Sequence, residues 1–214
     1  MLEIENLDVS IGSVGILRGV GLALPAGQMA GLIGRNGAGK TTLMRSIMGL
    51  LAARNGTIRF DGAELTAIPA HARSRLGIGY MPEDRRLVPE LTVEENIQVP
   101  LWAMGVKDTG AQWRKVCAMI PEIEVFAQRR AQQLSGGQQK LVAIARALIC
   151  GTKLLLLDEP FEGVAPALSR RIVEVIAGLK GEGLAIIVSE SDLQHSAQML
   201  DRVFHIERGE IVSR

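Results

Sequence analysis

Gly34-Arg35-Asn36-Gly37-Ala38-Gly39-Lys40-Thr41, followed by Thr42, fits the phosphate-binding loop pattern G-x-x-x-x-G-K-[ST] at every fixed position. Before it, Met29-Ala30-Gly31-Leu32-Ile33 reads as a short buried strand; after it, Leu43, Ile47 and Leu50 recur at helical spacing. The loop therefore joins a strand to a helix N-terminus. Successive backbone N–H groups point at phosphate oxygens in such a turn, and the helix dipole favours negative charge. The glycines let the backbone approach closely. Lys40 adds a full positive charge near the outer phosphates, and Thr41 offers a hydroxyl to Mg²⁺. A glycine-rich turn of an ordinary α/β domain needs none of these in combination. The stretch implies a nucleotide site.

A chain of 214 residues suits one domain with room for a subdomain and a sizeable core. An apolar fraction of 47% and 24 glycines suit a buried sheet with tight turns. The net charge of +1, with both signs mixed along the chain, implies no polyanion partner and argues against nucleic acid. Cys117 and Cys150 form no C-x-x-C pair and, with no secretory signal, read as reduced, buried thiols of a cytosolic protein. No apolar run approaches the ~20 residues that span a bilayer. Any membrane role must come through a partner.

Leu2 to Val9 largely alternates apolar and polar residues, as a half-exposed strand does. A second strand spans Gly15 to Leu24, and Thr57-Ile58-Arg59-Phe60 followed by Asp61-Gly62 is a strand with a turn signal. Gly77 to Met81 is a buried strand stopped by Pro82. Thr92-Val93-Glu94-Glu95 fits a capping box opening a helix. From there to about Arg130 the chain reads as helical, with breaks at Pro100, Gly105, Gly110 and Pro121. The pattern predicts a helical subdomain at 84–133 inserted into a core made of 1–83 and 134–214. In the second core segment it predicts a helix at Gln138–Cys150 and a strand at Leu154–Leu157. A helix at Leu168–Lys180, a strand at Ala185–Ser189, a short helix and a strand pair around Gly209 complete it.

Lys153-Leu154-Leu155-Leu156-Leu157-Asp158-Glu159-Pro160 is four leucines ending in two carboxylates. A buried parallel strand reads as an unbroken apolar run, and its C-terminal end is where α/β folds place ligands. Alone, the stretch also fits a strand ending in a solvated acidic turn. Beside a phosphate loop, Asp158 is placed to hold the Mg²⁺ shell, directly or through water. Glu159, one residue further toward the γ-phosphate, is placed to orient or deprotonate the attacking water. Leu134-Ser135-Gly136-Gly137-Gln138-Gln139 opens the next helix, and Ser135-x-x-Gln138 is itself a capping box. Two glycines in its first turn cost up to ~1 kcal/mol each relative to alanine. They make sense if something must come close, and a phosphate is the natural candidate. The first loop already accounts for one nucleotide's phosphates.

The order of these segments resembles the ATP-binding cassette family across essentially the whole chain. The resemblance implies an α/β P-loop NTPase core with an N-terminal antiparallel β-subdomain and an inserted α-helical subdomain. It implies an ATPase using ATP and Mg²⁺. It also implies a second ATPase subunit packed head to tail, identical or different. Ser135, Gly136 and Gly137 of one cassette then cover the γ-phosphate held by Gly37, Gly39 and Lys40 of the other. The implied nucleotide contacts are Gly34, Arg35, Asn36, Gly37, Ala38, Gly39, Lys40, Thr41 and Thr42, joined by Ser135, Gly136, Gly137 and Gln138. The implied catalytic residues are Glu159, Lys40 and Ser191, and the metal ligands Thr41, Asp158 and Glu83.

Three of the family's positions depart from its common pattern. Glu83 stands where a Mg²⁺-sensing glutamine is usual, and Ser191 where a histidine usually contacts the γ-phosphate. His195 lies too far beyond Ser191 to substitute for it. Ile11 stands where an aromatic residue often stacks on adenine, which forfeits roughly 0.5–1.5 kcal/mol. Phe161 to Pro166 lies where the family's chain runs along the dimer seam. The stretch Pro82 to Asn96, with Glu159-Pro160-Phe161-Glu162-Gly163, resembles the shorter ATPase subunit of branched-chain amino-acid importers. The ATPases of urea and amide importers are very similar. The resemblance implies a peripheral subunit on the cytoplasmic face of the cell membrane. It further implies that a permease inserts a short helix beside Glu83 and that the solute never touches this chain. A soluble cassette acting on ribosomes or DNA would carry a second cassette, a coiled-coil insertion or a basic arm, none of which is visible. A non-hydrolysing regulatory partner fits Ser191 and Ile11 but not intact Lys40, Asp158 and Glu159.

Overall fold

The computed structural model describes residues 1–180 and 183–212, so residues 181–182 and 213–214 of the expected core segment lie outside the described residues. Strands β1 (Leu2–Ile11) and β2 (Val14–Leu24) form a hairpin, followed by β3 (Met29–Ile33) and helix α1 (Lys40–Ile47). Next come β4 (Ala53–Phe60), β5 (Ala63–Glu64), the single turn α2 (Ala70–Arg73) and β6 (Ile78–Met81). Helices α3 (Val93–Ala103), α4 (Gly110–Met119), α5 (Glu122–Val125) and α6 (Gly136–Leu148) follow in succession. Then β7 (Leu154–Asp158), α7 (Pro166–Gly178), β8 (Ala185–Glu190), β9 (Arg202–Glu207) and β10 (Glu210–Val212) complete the described chain.

Two sheets result. The antiparallel one has order β2-β1-β4-β5; the other, order β10-β9-β3-β8-β7-β6, is parallel except for its β9–β10 edge. The leucine run explains itself here. Leu155 and Leu157 face the core shared with α3 to α7, whereas Leu154 and Leu156 face the core shared with α1 and the antiparallel sheet. A strand covered on both faces has no position left for a polar residue until its end. Gly79 on β6 meets α6 at backbone contact: a Cβ there would lie 2.1 Å from the Ala147 carbonyl oxygen.

Register then places the site. Ile33 pairs with Glu190, Asp158 with Ser189, and Met81 with Leu157, so the C-terminal ends of β3, β8, β7 and β6 share one edge. Such an edge is where parallel sheets bind ligands.

Some expected boundaries move. Gly49, at φ +72°, ends α1, so Leu50 lies beyond the helix and is 47% exposed. Pro100 does not break α3. It sits in the last turn, where only one helical donor is lost, and its carbonyl still accepts from Met104 N at 3.1 Å. Gly110 opens α4 rather than interrupting a helix, while Gly105, at φ +79°, does separate α3 from α4. The short helix expected after β8 is replaced by bends and a turn between residues 191 and 199.

The capping box at α3 forms as expected. Thr92 Oγ1 accepts from Glu95 N at 3.2 Å, and Thr92 N donates to Glu95 Oε2 at 2.7 Å. Thr92→Ala is expected to cost about 1 kcal/mol, a fall of roughly 2–4 °C in melting temperature for a domain of this size. A thermal melt of the purified variant checks it.

Candidate active site

The phosphate loop lies at the shared edge, between β3 and α1. Asn36, Gly37, Gly39, Lys40, Thr41 and Thr42 line a cleft of about 360 Å³ together with Glu83, Glu159 and Ile16. Gly34, Arg35 and Ala38 form the back of the loop. Gly34 N donates to the Glu190 carbonyl at 3.2 Å, and Ala38 N to the Arg35 carbonyl at 3.0 Å. Gly34 has to be glycine, because a Cβ would sit 2.3 Å from the Ile206 carbonyl oxygen on β9. Gly39 caps α1 at φ +114°, a conformation in which a side chain is strained.

Lys40 is only 5% exposed, yet its ammonium has defined partners. It lies 3.0 Å from Glu159 Oε1 and donates to the carbonyls of Gly34 and, at 3.3 Å, Arg35. Glu159 belongs to the turn after β7 and adopts φ +49°, a left-handed conformation that costs a non-glycine residue of order 1–3 kcal/mol. Asp158 is fully buried. Its Oδ1 accepts from Ser189 Oγ at 2.7 Å, and its Oδ2 from the Tyr80 hydroxyl at 3.3 Å. Burial, with Asp158 next in weight, pushes the Tyr80 phenol well above its ordinary range, so it stays a donor.

Ser191 reaches the site. Its Oγ lies 3.0 Å from Asn36 Oδ1 and 3.4 Å from Glu159 Oε1. His195 instead packs against Phe161, with ring centroids 5.0 Å apart and planes tilted by 45°. Ile11 is 50% exposed at the end of β1. Ile16 on β2 supplies the apolar wall of the cleft.

Glu83 faces the cleft beside Thr41. Its carboxyl is raised above the usual range, first by burial and then by Glu162, Asp158 and Glu159. Converging carboxylates and a threonine hydroxyl make a set of hard oxygen donors, which suits Mg²⁺. Among the described residues no three His, Cys, Asp or Glu side chains group as a self-contained metal cage. Thr41, Asp158 and Glu83 therefore fit an ion that also takes phosphate and water ligands, as Mg²⁺ does.

Helix α6 ties these parts together. At its start, Ser135 Oγ accepts from Gln138 N at 3.3 Å and Ser135 N donates to Gln138 Oε1 at 3.0 Å. Ser135, Gly136, Gly137 and Gln138 do not line the cleft of their own chain. Within the chain, Gly137 makes room for Leu168, whose Cδ2 would meet an added Cβ at 2.3 Å. One turn on, Lys140 is buried and donates to the carbonyls of Glu159 at 2.8 Å and Glu162 at 2.6 Å. Near the end, Arg146 donates to the carbonyls of Arg85 and, at 2.7 Å, Arg86, while Arg85 donates to the Gly136 carbonyl at 3.1 Å. Sequence reading missed Lys140, Ser189, Tyr80 and Ile16. A lysine four residues from both Gly136 and Ile144, on the apolar face of α6, was the one available signal.

Glu190, at the end of β8, is buried, and among the described residues its Oε1 has no hydrogen-bond partner. Burial raises its carboxyl to about 7 from 4.5. The folded state thus holds this proton more tightly than the unfolded chain. The resulting stabilisation is complete below the ordinary carboxylate pKa and is lost as pH rises through about 7. Glu190→Gln is expected to lack this loss. Denaturation midpoints at about pH 5.5 and about pH 8 should show the variant gaining on the parent at the higher value.

A strand–loop–helix phosphate cradle facing an acidic strand end defines a nucleoside-triphosphate-hydrolysing α/β protein. The sequence profile of the ABC transporter family matches residues 17–162, and the chain belongs to that family. It is 36% identical over 212 residues to the high-affinity branched-chain amino acid transport ATP-binding protein BraG of Pseudomonas aeruginosa, covering 99% of this chain and 91% of that one. It is 34% identical over 217 residues to the lipopolysaccharide export system ATP-binding protein LptB of Haemophilus influenzae, covering 100% of this chain and 89% of that one. A solved ATP-binding cassette, dimeric and bound to ADP and Pi after hydrolysis, superposes with a TM-score of 0.87 at 26% identity. That match covers 100% of this chain and 97% of the other. The chain is an ABC ATPase, the ATP-hydrolysing subunit of a transporter. No helix among the described residues is long and apolar enough to cross a membrane.

Proposed function

We propose that this ATPase powers an importer of branched-chain amino acids, bound to a separate permease at the cytoplasmic face of the cell membrane. The observation that carries the import reading is the match to BraG along 99% of the chain. In this reading Lys40 and the loop amides hold the β- and γ-phosphates, and Glu159 orients the attacking water. Ser191 hydrogen-bonds the γ-phosphate. Thr41, Asp158 and Glu83 hold Mg²⁺, which when bound offsets charge on the phosphate oxygens. Ser135, Gly136, Gly137 and Gln138 close the site of the second ATPase subunit, which explains why they stand clear of their own cleft. The segment 84–133 moves as a helical unit against a core of 1–83 and 134–214.

Between them runs a groove of about 530 Å³, lined by Arg45, Leu50, Glu83, Asp84, Arg86, Val99, Pro100 and Arg146. Its mixture of charged and apolar side chains suits a short amphipathic helix of the permease. Closure of the ATPase pair would then be felt by the permease through Glu83, and the solute would touch only the permease.

The match to LptB favours a second reading, export of lipopolysaccharide. Affinity purification from the host's membranes identifies the permease, and reconstitution in vesicles separates the readings. ATP-dependent uptake of labelled leucine is expected. Uptake of urea or an amide in its place, or co-purification with lipopolysaccharide-extracting subunits, would replace the amino-acid assignment.

A further inference from the structure

The backbone of Glu159 is held from both sides by two buried side chains. Ser189 Oγ accepts from Glu159 N at 3.0 Å while donating to Asp158 Oδ1. Lys140 Nζ donates to the Glu159 carbonyl at 2.8 Å and to the Glu162 carbonyl at 2.6 Å. Lys140 and Ser189 are 4% and 0% exposed, so neither bond competes with bulk water. Between these two grips Glu159 keeps φ +49°. A left-handed glutamate persists only where its surroundings over-determine it, and this conformation sets the carboxylate 3.0 Å from the Lys40 ammonium.

We propose that Lys140 and Ser189 are positioning residues for ATP hydrolysis, clamping the Glu159 backbone so that its carboxylate stays aimed into the cleft. Neither touches the reacting atoms. Lys140 adds a second property, because it also stands among carboxylates. Its ammonium faces Glu83, Glu159 and Glu162, with Arg85 the nearby like charge, and burial is the main influence lowering its affinity for the proton. One buried cation thus fixes the turn and offsets the crowded acids. Lys140 also lies on α6 one turn from Gly136 and Gly137. Any shift of that helix end is passed directly to the carbonyl of Glu159.

This rests on the role assigned to Glu159, so Glu159→Gln serves as the control. Lys140→Met removes the donor at similar length, Lys140→Arg restores charge and donors, and Lys140→Gln keeps a shorter amide donor should Lys140→Met not fold. Steady-state hydrolysis of Mg-ATP is expected to show kcat lowered about 10- to 100-fold in Lys140→Met, the scale of a misplaced catalytic group, with KM within about 2-fold. Lys140→Arg should recover most of the loss. In the Glu159→Gln background Lys140→Met should cost nothing further, because both act through one carboxylate. Hydrogen exchange of the segment 158–163 gives a readout independent of turnover. It should rise about 10-fold in Lys140→Met and in Ser189→Ala, without change in β1 and β2.

Parental kcat and parental exchange in Lys140→Met would overturn the clamp. So would an equal loss of kcat with and without Glu159. Full turnover by Glu159→Gln would instead remove the role of Glu159, a result distinct from either.

Discussion

Glu159→Gln is expected to lower kcat for ATP hydrolysis by about 10²–10⁴-fold, the contribution of a positioned proton acceptor or water-orienting group, while ATP still binds. The substitution is nearly isosteric and keeps an oxygen for the Lys40 ammonium, 3.0 Å from Oε1 in the parent. What it removes is the negative charge facing the cleft. The loop from Asn36 to Thr42, which lines the cleft, is untouched. A variant that binds ATP without consuming it should therefore accumulate the closed pair. Light scattering with ATP in Mg-free buffer is expected to show a dimer. A monomer that still binds ATP would mean that a different ATPase chain supplies the second half. Turnover near the parental rate would move the chemistry away from β7.

The sequence makes the cleft edge of the sheet unusually readable, for a physical reason. Phosphate binding by a backbone cradle needs Gly34, Gly37 and Gly39 at fixed offsets, and a strand buried on both faces needs an unbroken apolar run. Both constraints are local, so both leave a local signature. The capping boxes at Thr92 and Ser135 were legible for the same reason. What escaped depends on register. Nothing near Ser189 in sequence tells that it lies opposite Asp158, and only the pairing of β7 with β8 brings the hydroxyl to the carboxylate. Tyr80 reaches Asp158 through the next pair, β6 with β7. Lys140 was visible as a cation on an apolar face, but its partners are carbonyls, which carry no sequence identity. Gly137 illustrates the converse. Its cost in a first turn signalled a close approach, and within the chain that neighbour is Leu168.

Helix α6 gives these distant pieces a common mechanical frame. Its first turn holds Ser135 to Gln138, Lys140 grips the Glu159 turn, and Arg146 holds the carbonyls of Arg85 and Arg86 beside Glu83. Arg85 and Arg86 are both left-handed, at φ +62° and +49°. Two successive non-glycine residues in that region persist only under tertiary restraint, and Arg146 supplies it. The loop beside Glu83 and the turn that carries Glu159 are thus both fastened to one rod.

The Lys40→Ala variant is expected to lose about 10- to 100-fold in ATP affinity and essentially all turnover. Lys40 is the one cation lining the cleft among the described residues. Each charge-assisted hydrogen bond it makes to phosphate is worth about 1.5–3 kcal/mol, and every 1.4 kcal/mol is a factor of ten. The loss exceeds that of a surface lysine because the ammonium is 5% exposed, so its field is little screened by water. Arginine should not rescue it. Arginine carries a wider, rigid planar fork where lysine has a compact point charge, and this side chain is packed under the carbonyls of Gly34 and Arg35. Removing the cation also leaves Glu159 with Ser191 as its remaining side-chain partner in the cleft. The carboxylate then faces the phosphates without a counter-charge, and turnover should fall further than affinity. Calorimetric titration with ATP measures the first effect. A stabilisation of about 2.7 kcal/mol at a ligand concentration of 100 Kd, present in the parent and reduced in Lys40→Ala at the same ATP concentration, measures it independently. Parental affinity in Lys40→Ala would place the nucleotide outside the cleft between β3 and α1.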